Sequence, residues 1–260
     1  MLRGGAGASR YAGHVPTTLF EKALLASSSA VRALADPRDA RLVGVVGEAT
    51  GHAALLRMQT RMRQHPVGRA ILRERPVLSE ATVPTSWLRS LPEHTFGAEY
   101  AKYLDKHGFS PDERPSVRFV DDEELAYIIL RYRQARRRPA AGAAAAEVVD
   151  RAHVPHQVHD FWHVLLGLPP SMVGEVALKW AELAQTGLPM CALGAFAGGA
   201  RLAPQKLALV VRHVLPWAAR HAAGGADLMC VYYERELERP LDELRHELRL
   251  TMPLPPSRPR

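Results

Sequence analysis

Cysteine is almost missing from this chain. Only Cys191 and Cys230 occur among its 260 residues, each in apolar sequence. That excludes a disulfide framework and points to buried free thiols in a compartment that does not rely on disulfides. Long apolar runs are missing too: no stretch approaches the roughly 18 residues needed to span a bilayer, so any membrane attachment is peripheral. Aromatic residues make up 7% of the chain and do not alternate with basic ones, so no nucleic-acid stacking platform is present and nucleic acid is set aside as a partner. Lys and Arg number 34 against 27 acids, a formal charge of 34 − 27 = +7. The excess is dispersed, apart from Arg136-Arg137-Arg138, and suits an anionic membrane surface better than a polynucleotide. Period-two alternation is scarce and confined to Met229–Tyr233. An all-α fold follows, a single multi-helix domain with a low-complexity insert, and the chain is long enough to bury a substantial core.

Apolar residues recur at helical spacing over 19–34, behind the capping pair Thr17-Thr18, and over 41–63, where Gly44, Gly47 and Gly51 are spaced for close helix approach. Pro66 opens a shorter helix that Pro76 stops. Residues 79–118 read as an irregular connector around a helical piece at 97–105. The acids Asp121-Asp122-Glu123-Glu124 then start a helix that ends in basic Arg131 and Arg133, both signs complementing the helix dipole. A second metal site built from these acids is the minor alternative. Helices are further expected over 158–166, 171–186, 190–200, 202–219 and 237–250. The first ten residues carry Arg3 and Arg10 and no acid, which fits a presequence and fits a disordered start equally; 253–260 reads as a disordered tail.

What the chain does have is chemistry in His159-Asp160-Phe161-Trp162-His163, with Glu175 twelve residues beyond the second histidine. Residues i and i+4 share a helix face, so His159 and His163 can hold one ion between them, with Asp160 rotated by about 100°. Glu175 lies beyond Gly167-Leu168-Pro169-Pro170 and has to fold back from the next helix. Imidazole nitrogen with carboxylate oxygen suits Zn²⁺ first, then Fe²⁺, Mn²⁺ or Mg²⁺. The competing reading is a solvated helix face, since Glu175, Lys179 and Glu182 are also spaced for surface ion pairs. His153 and His156 are candidate additional ligands, loop histidines being the commoner case.

Several motifs in order resemble the coenzyme Q biosynthesis protein 4 family: Tyr11-Ala12-Gly13-His14-Val15-Pro16, Gly47-Glu48-Ala49-Thr50-Gly51-His52, and Arg118-Phe119-Val120 running into Asp121-Asp122-Glu123-Glu124-Leu125-Ala126-Tyr127. The metal motif, Gln185-Thr186-Gly187-Leu188-Pro189-Met190-Cys191 and Tyr232-Tyr233-Glu234 complete the set, over residues 11 to about 252. The resemblance implies an all-helical protein that binds zinc through His159, Asp160, His163 and Glu175. It further implies removal of the C1 carboxylate from a polyprenylated 4-hydroxybenzoate-derived ring, of the 4-hydroxy-3-methoxy-5-polyprenylbenzoate type. Its setting would be peripheral, on the matrix side of the mitochondrial inner membrane, among the other enzymes of the ubiquinone-synthesis complex, with a homodimer allowed. Asp160 is the candidate proton donor to the ring carbon. The helices around Ala192–Ala200 and Leu207–Trp217 are candidates for an apolar channel for the tail, or simply core. The alternatives are a non-catalytic lipid-binding scaffold with a structural metal and, from the His-Asp-x-x-His spacing, a metallohydrolase. Residues 135–157 depart from the family: this 23-residue segment, Ala-rich after three arginines, intervenes where the helix bearing Arg131 to Gln134 would run into His159.

Overall fold

The structure is a computed structural model and describes residues 10–35, 40–78, 80–107, 117–133 and 158–253. The presequence-like start, the 135–157 segment with His153 and His156, and the tail from 254 lie outside the described residues. Within them the architecture is all-α, with no strand and one isolated bridge, Thr95 to Pro240.

The first helix, α1 (Leu19–Ala35), starts where its cap dictates. Thr18 and Glu21 bond reciprocally, with Glu21 N–H donating to the Thr18 hydroxyl (3.2 Å) and Thr18 N–H to the Glu21 carboxylate (2.7 Å), a capping box. The expected 41–63 helix is two, α2 (Ala40–Thr50) and α3 (His52–Gln64), parted at Gly51, where ψ relaxes to −3°. The glycine spacing serves close approach. A Cβ on Gly47 would stand 2.2 Å from the Met190 sulfur, which is how the helix carrying Met190 comes so near α2. After α4 (Pro66–Glu74), the connector contains a helix that composition did not reveal, α5 (Thr85–Ser90), whose start is held by Glu80 accepting from the Thr85 N–H and hydroxyl. Next comes α6 (Phe96–His107).

The acidic run does open a helix, α7 (Glu123–Arg133), with Asp122 accepting from Leu125 N–H at 2.9 Å. Its carboxylates are taken by cations from other segments: Asp121 by Lys22, Glu123 by Arg75 and Glu124 by Arg63. The arginines at its far end do more than meet a dipole. Arg131 is buried and paired with Glu234 at 3.0 Å, while Arg133 pairs with buried Glu48, whose second oxygen accepts from the N–H groups of Arg118 and Phe119. Paired and hydrogen-bonded in this way, these charges lock three distant segments in register.

The metal motif lies on α8 (Val158–Leu165), followed by α9 (Met172–Thr186) and α10 (Pro189–Gly199). The expected 202–219 helix runs on to Gly224, as α11 (Pro204–Leu209), a π-helical turn at Val210–Val214, and α12 (Leu215–Gly224). Pro216 is the cause: it lacks an N–H and crowds the carbonyl four residues back, and the wider π turn relieves both. The expected 237–250 helix shrinks to α14 (Leu241–Glu247), with a short α13 (Tyr233–Glu236) before it. Pro240 extends the chain there, and Phe96 N–H and Leu241 N–H instead donate to Arg239 and His94 carbonyls across the bridge. A single core results, in which Phe161, Trp162, Tyr100, Tyr132 and Tyr233 are fully enclosed.

Candidate metal centre

The fold-back of Glu175 depends on one small residue. α8 ends at Leu165, Gly167 takes a left-handed φ of +61°, and Pro169-Pro170 leads into the Ser171 cap, whose hydroxyl accepts from Gly174 N–H. A Cβ at Gly174 would lie 1.8 Å from the Pro169 carbonyl oxygen, so only glycine lets the first turn of α9 close against the preceding loop. That turn carries Glu175.

Helix α8 presents His159 and His163 on one face, rings 4.9 Å apart and perpendicular. Glu175 stands between them. Its Oε1 is 3.5 Å from His163 Nε2 and its Oε2 is 3.7 Å from His159 Nε2, and one donor atom from each of the three residues falls within 4.8 Å of the others. These separations are too long for hydrogen bonds. They match ligand–ligand spacing around a tetrahedral zinc, which at metal–ligand bonds of about 2.1 Å is about 3.4 Å.

The ring orientations agree with that fit. His163 Nδ1 lies 3.0 Å from the Leu168 carbonyl, which can only accept, so Nδ1 carries the proton and Nε2 offers its lone pair. That Nε2 is buried and makes no hydrogen bond. His159 Nδ1 donates to Glu182 Oε1 at 2.5 Å, which turns its Nε2 towards Glu175. Both imidazoles therefore have an outer partner and an inward nitrogen, the arrangement found behind metal-bound histidines. The residues present fit a zinc ion with two nitrogen ligands and one oxygen ligand. Glu175 keeps some solvent exposure, which leaves the open side of the centre beside it.

Asp160, one residue beyond His159, is buried, and its oxygens do not join the three-residue group, as its rotation around the helix implies. Glu182 is the participant that spacing concealed. It lies seven residues, two turns, beyond Glu175 and so on the same face, but its carboxylate is fully buried rather than solvated. It accepts from Lys179 Nζ at 2.6 Å as well as from His159. The solvated-face reading of Glu175, Lys179 and Glu182 is thereby corrected: α9 turns all three towards α8.

The electrostatics are those of an anion-rich cage held together by cations. Burial raises the Glu182 carboxyl, but the Lys179 ammonium and His159 outweigh it and bring it to about 2. Burial likewise works against the charged form of His159, as does Lys179, and the Glu182 and Glu175 carboxylates overcome both, lifting it to about 9. Glu175 is held far below the usual carboxylate range by the two imidazoles, against the pull of burial.

The other motifs tie the surrounding elements together, and Tyr103 of α6 stacks on His163 with ring centres 5.7 Å apart. Trp162 Nε1–H donates to the Tyr233 hydroxyl (2.9 Å), which donates to the Leu228 carbonyl. Tyr132 meets the buried Cys191 sulfur at 2.9 Å, and the Cys191 thiol is pushed up to about 12 by burial. Gln185 ties α9 to Ala226 and Leu228.

Comparison with known proteins follows these residues closely. The family model described as "Coenzyme Q (ubiquinone) biosynthesis protein Coq4" matches residues 11–136 and 146–254, so the departure from the family narrows from the expected 135–157 to 137–145. The chain is 43% identical to a human protein named "Ubiquinone biosynthesis protein COQ4 homolog, mitochondrial", over 94% of this chain and 83% of the human one. The Danio rerio homologue of the same name is also 43% identical, over 94% and 81%, and an Aspergillus terreus relative is 41% identical, over 94% and 77%. A crystal structure from Nostoc punctiforme, described as a ubiquinone biosynthesis protein, shares the fold at a TM-score of 0.63, covering 89% of this chain and 98% of that one at 19% identity. With the matched regions spanning nearly every described element, the chain belongs to the Coq4 family of coenzyme Q (ubiquinone) biosynthesis proteins.

Proposed function

We propose that within ubiquinone biosynthesis this protein removes the C1 carboxylate from a polyprenylated 4-hydroxybenzoate-derived precursor, using a zinc ion held by His159, His163 and Glu175. The observation that supports this best is the buried, unbonded Nε2 of His163 facing Glu175 across a gap of ligand spacing. A zinc ion bound there supplies Lewis-acid stabilisation of the charge that develops as carbon dioxide leaves. The chain's own residues do the rest. Glu182 and the Leu168 carbonyl fix the two imidazoles, and the Lys179 ammonium balances Glu182 inside the helix pair. The Tyr103 ring stacked on His163 keeps water from that side, while the partly exposed Glu175 marks the side from which substrate enters. Asp160, on the metal helix and buried, is assigned the proton delivered to the ring carbon, or the fourth ligand position after a side-chain rotation.

The reading places the protein peripherally on the matrix side of the mitochondrial inner membrane, with other enzymes of the ubiquinone-synthesis complex as partners. No described helix is long and apolar enough to cross a membrane, and the relatives are named mitochondrial. The test is decarboxylation of a synthetic short-chain precursor by purified protein. Activity that is lost with chelation and in Glu175→Ala, while the variant stays folded, is expected. Turnover by folded, zinc-free protein would overturn the metal's role in the reaction, and none by zinc-loaded protein would leave the non-catalytic scaffold with a structural metal. Asp160→Asn divides its two roles: zinc retained with turnover lost assigns the proton, zinc lost assigns the ligand.

A further inference from the structure

The turn that links α8 to α9 aims two of the three candidate ligands. The Leu168 carbonyl holds the His163 ring at 3.0 Å, while the Ser171 cap and the close approach of Gly174 to Pro169 set the first turn of α9, which carries Glu175. The end of the chain crosses this turn. Arg245 of α14 donates from Nε to the Leu165 carbonyl at 2.9 Å and from Nη2 to the Val164 carbonyl at 2.8 Å, two carbonyls of the last turn of α8. The chain then folds back, with Leu250 N–H donating to the Arg245 carbonyl and the Trp217 indole N–H to the Thr251 carbonyl. Met252 follows, and its thioether rests on Gly167, where a Cβ would come within 2.7 Å of the sulfur. Only a residue without a side chain lets the sulfur sit so close to the turn.

Met252 also stands apart from most methionines of the protein. It is 48% exposed and Met172 52%, whereas the other described methionines, Met58, Met62, Met190 and Met229, are at 6% or less. The thiols are closed off as well. Cys191 and Cys230 are buried, and burial pushes both up to about 12, so neither is a thiolate near neutral pH. Hydrogen peroxide reaching the described residues therefore meets reactive sulfur at Met172 and Met252. Thioether oxidation requires neither a thiolate nor a metal. The sulfur lone pair attacks a peroxide oxygen, an S–O bond forms as the O–O bond breaks, and water leaves, so sulfur gives up the two electrons that the peroxide gains. A flexible apolar group becomes a polar, chiral sulfoxide.

We infer that Met252 is a modification site for peroxide, and that its oxidation to the sulfoxide lifts the C-terminal segment from Gly167 and loosens the turn that aims His163 and Glu175. The sulfoxide oxygen finds hydrogen bonds in water that its seat on Gly167 denies it, so the oxidised side chain leaves the turn. Reduction of the sulfoxide by a thiol-dependent methionine sulfoxide reductase returns the thioether to its seat. The consequence for zinc rests on the proposed metal centre, whereas the loosening of the turn does not.

The test is mild treatment of the full chain with dilute hydrogen peroxide, followed by peptide mass spectrometry, hydrogen exchange and zinc competition. Met172 and Met252 are expected to gain oxygen before the four buried methionines. In metal-free protein the amides of Leu168 and Glu175 donate to the His163 and Ser171 carbonyls, and after oxidation they are expected to exchange at least about fivefold faster. Zinc affinity, read by competition with a chromophoric chelator, is expected to fall about tenfold and to recover after treatment with the reductase. Met252→Leu keeps an apolar cover without an oxidisable sulfur and is expected to abolish both effects. Met252→Gln is expected to reproduce them without peroxide, and Met172→Leu, at a position of equal exposure, to leave them in place. Melting curves matching the parent protein establish that the variants are folded. Exchange that oxidation of Met252 leaves unchanged overturns the proposal, and so does an effect of peroxide that persists in Met252→Leu. Undiminished zinc affinity in a protein shown to bind the ion overturns the link to the centre. A parent protein that binds no zinc removes the metal centre instead, and the exchange measurement still decides the modification.

Discussion

The α8–α9 corner and helix α1 use the same helical periodicity to opposite ends. At the corner, polar side chains that belong in water are drawn inside: Glu182 and His163 are buried, and Lys179 and His159 are mostly covered. Each is tolerated because a partner of opposite charge or a carbonyl meets it at 2.5–3.0 Å. Along α1, side chains that belong inside are left out, with only Ser29 and Ala33 buried. The difference teaches where to look for function in an all-helical protein. Residues placed against their solvent preference cost stability, and at the corner the proposed zinc ion would supply the interaction that the chain itself leaves out.

The contrast breaks most readily at the ion. His163→Ala removes a donor that nothing nearby replaces, and zinc content, measured by atomic spectroscopy after purification, is expected to fall from about one per chain to near zero, a loss of about a thousandfold or more in affinity. A smaller effect probes the carboxylate behind the histidine. Glu182→Gln keeps the shape but weakens the hold on His159, and competition with a chromophoric chelator should show zinc binding weakened by about 10- to 100-fold. An unchanged affinity would make Glu182 a structural charge only.

Acidity sharpens the same point. In metal-free protein the His159 proton is held up to about 9, so its contact with Glu182 supports the fold fully below the unfolded value near 6.5 and is lost as pH rises through about 9. Zinc must displace that proton. Titration calorimetry in buffers of different ionisation enthalpy should find about one proton released per ion and an affinity rising about tenfold per pH unit between 6.5 and 9. At the other pole, Phe20→Ala should change thermal or denaturant stability by less than about 0.5 kcal/mol, because the side chain contacts mostly water. A loss of 2 kcal/mol or more would mean that α1 is covered within the folded chain itself.

Much of this was legible in the residues. Helix after helix follows apolar spacing, Pro and Gly, because those signals act within a turn or two of chain. The pairing of His159 with His163 is legible for the same reason, as a four-residue spacing on one helix. Several of the elements that differ involve contacts from far along the chain. Pro240 turns the expected last helix into an extended link because residues 94–97 are there to receive its neighbours' hydrogen bonds. Thr85 starts an unforeseen helix for a local reason, because Glu80, five residues before it, accepts from its N–H and hydroxyl. Arg131 and Arg133, plausible as helix-end cations, are buried pairs only because Glu234 and Glu48 are brought to them.

The helical class and the candidate ligands, whose donor atoms suit zinc, can be read from the residues alone, since donor type and short-range spacing are written in the chain. Helix packing sets Glu175 between the two imidazoles while Asp160 lies apart, buries Glu182 behind His159, and turns the large apolar residues of α1 outward. Spacing fixes which residues share a helix face, but what that face meets depends on how the helices pack, and the Gly174–Pro169 contact that folds α9 back on α8 is made across a loop rather than along a helix.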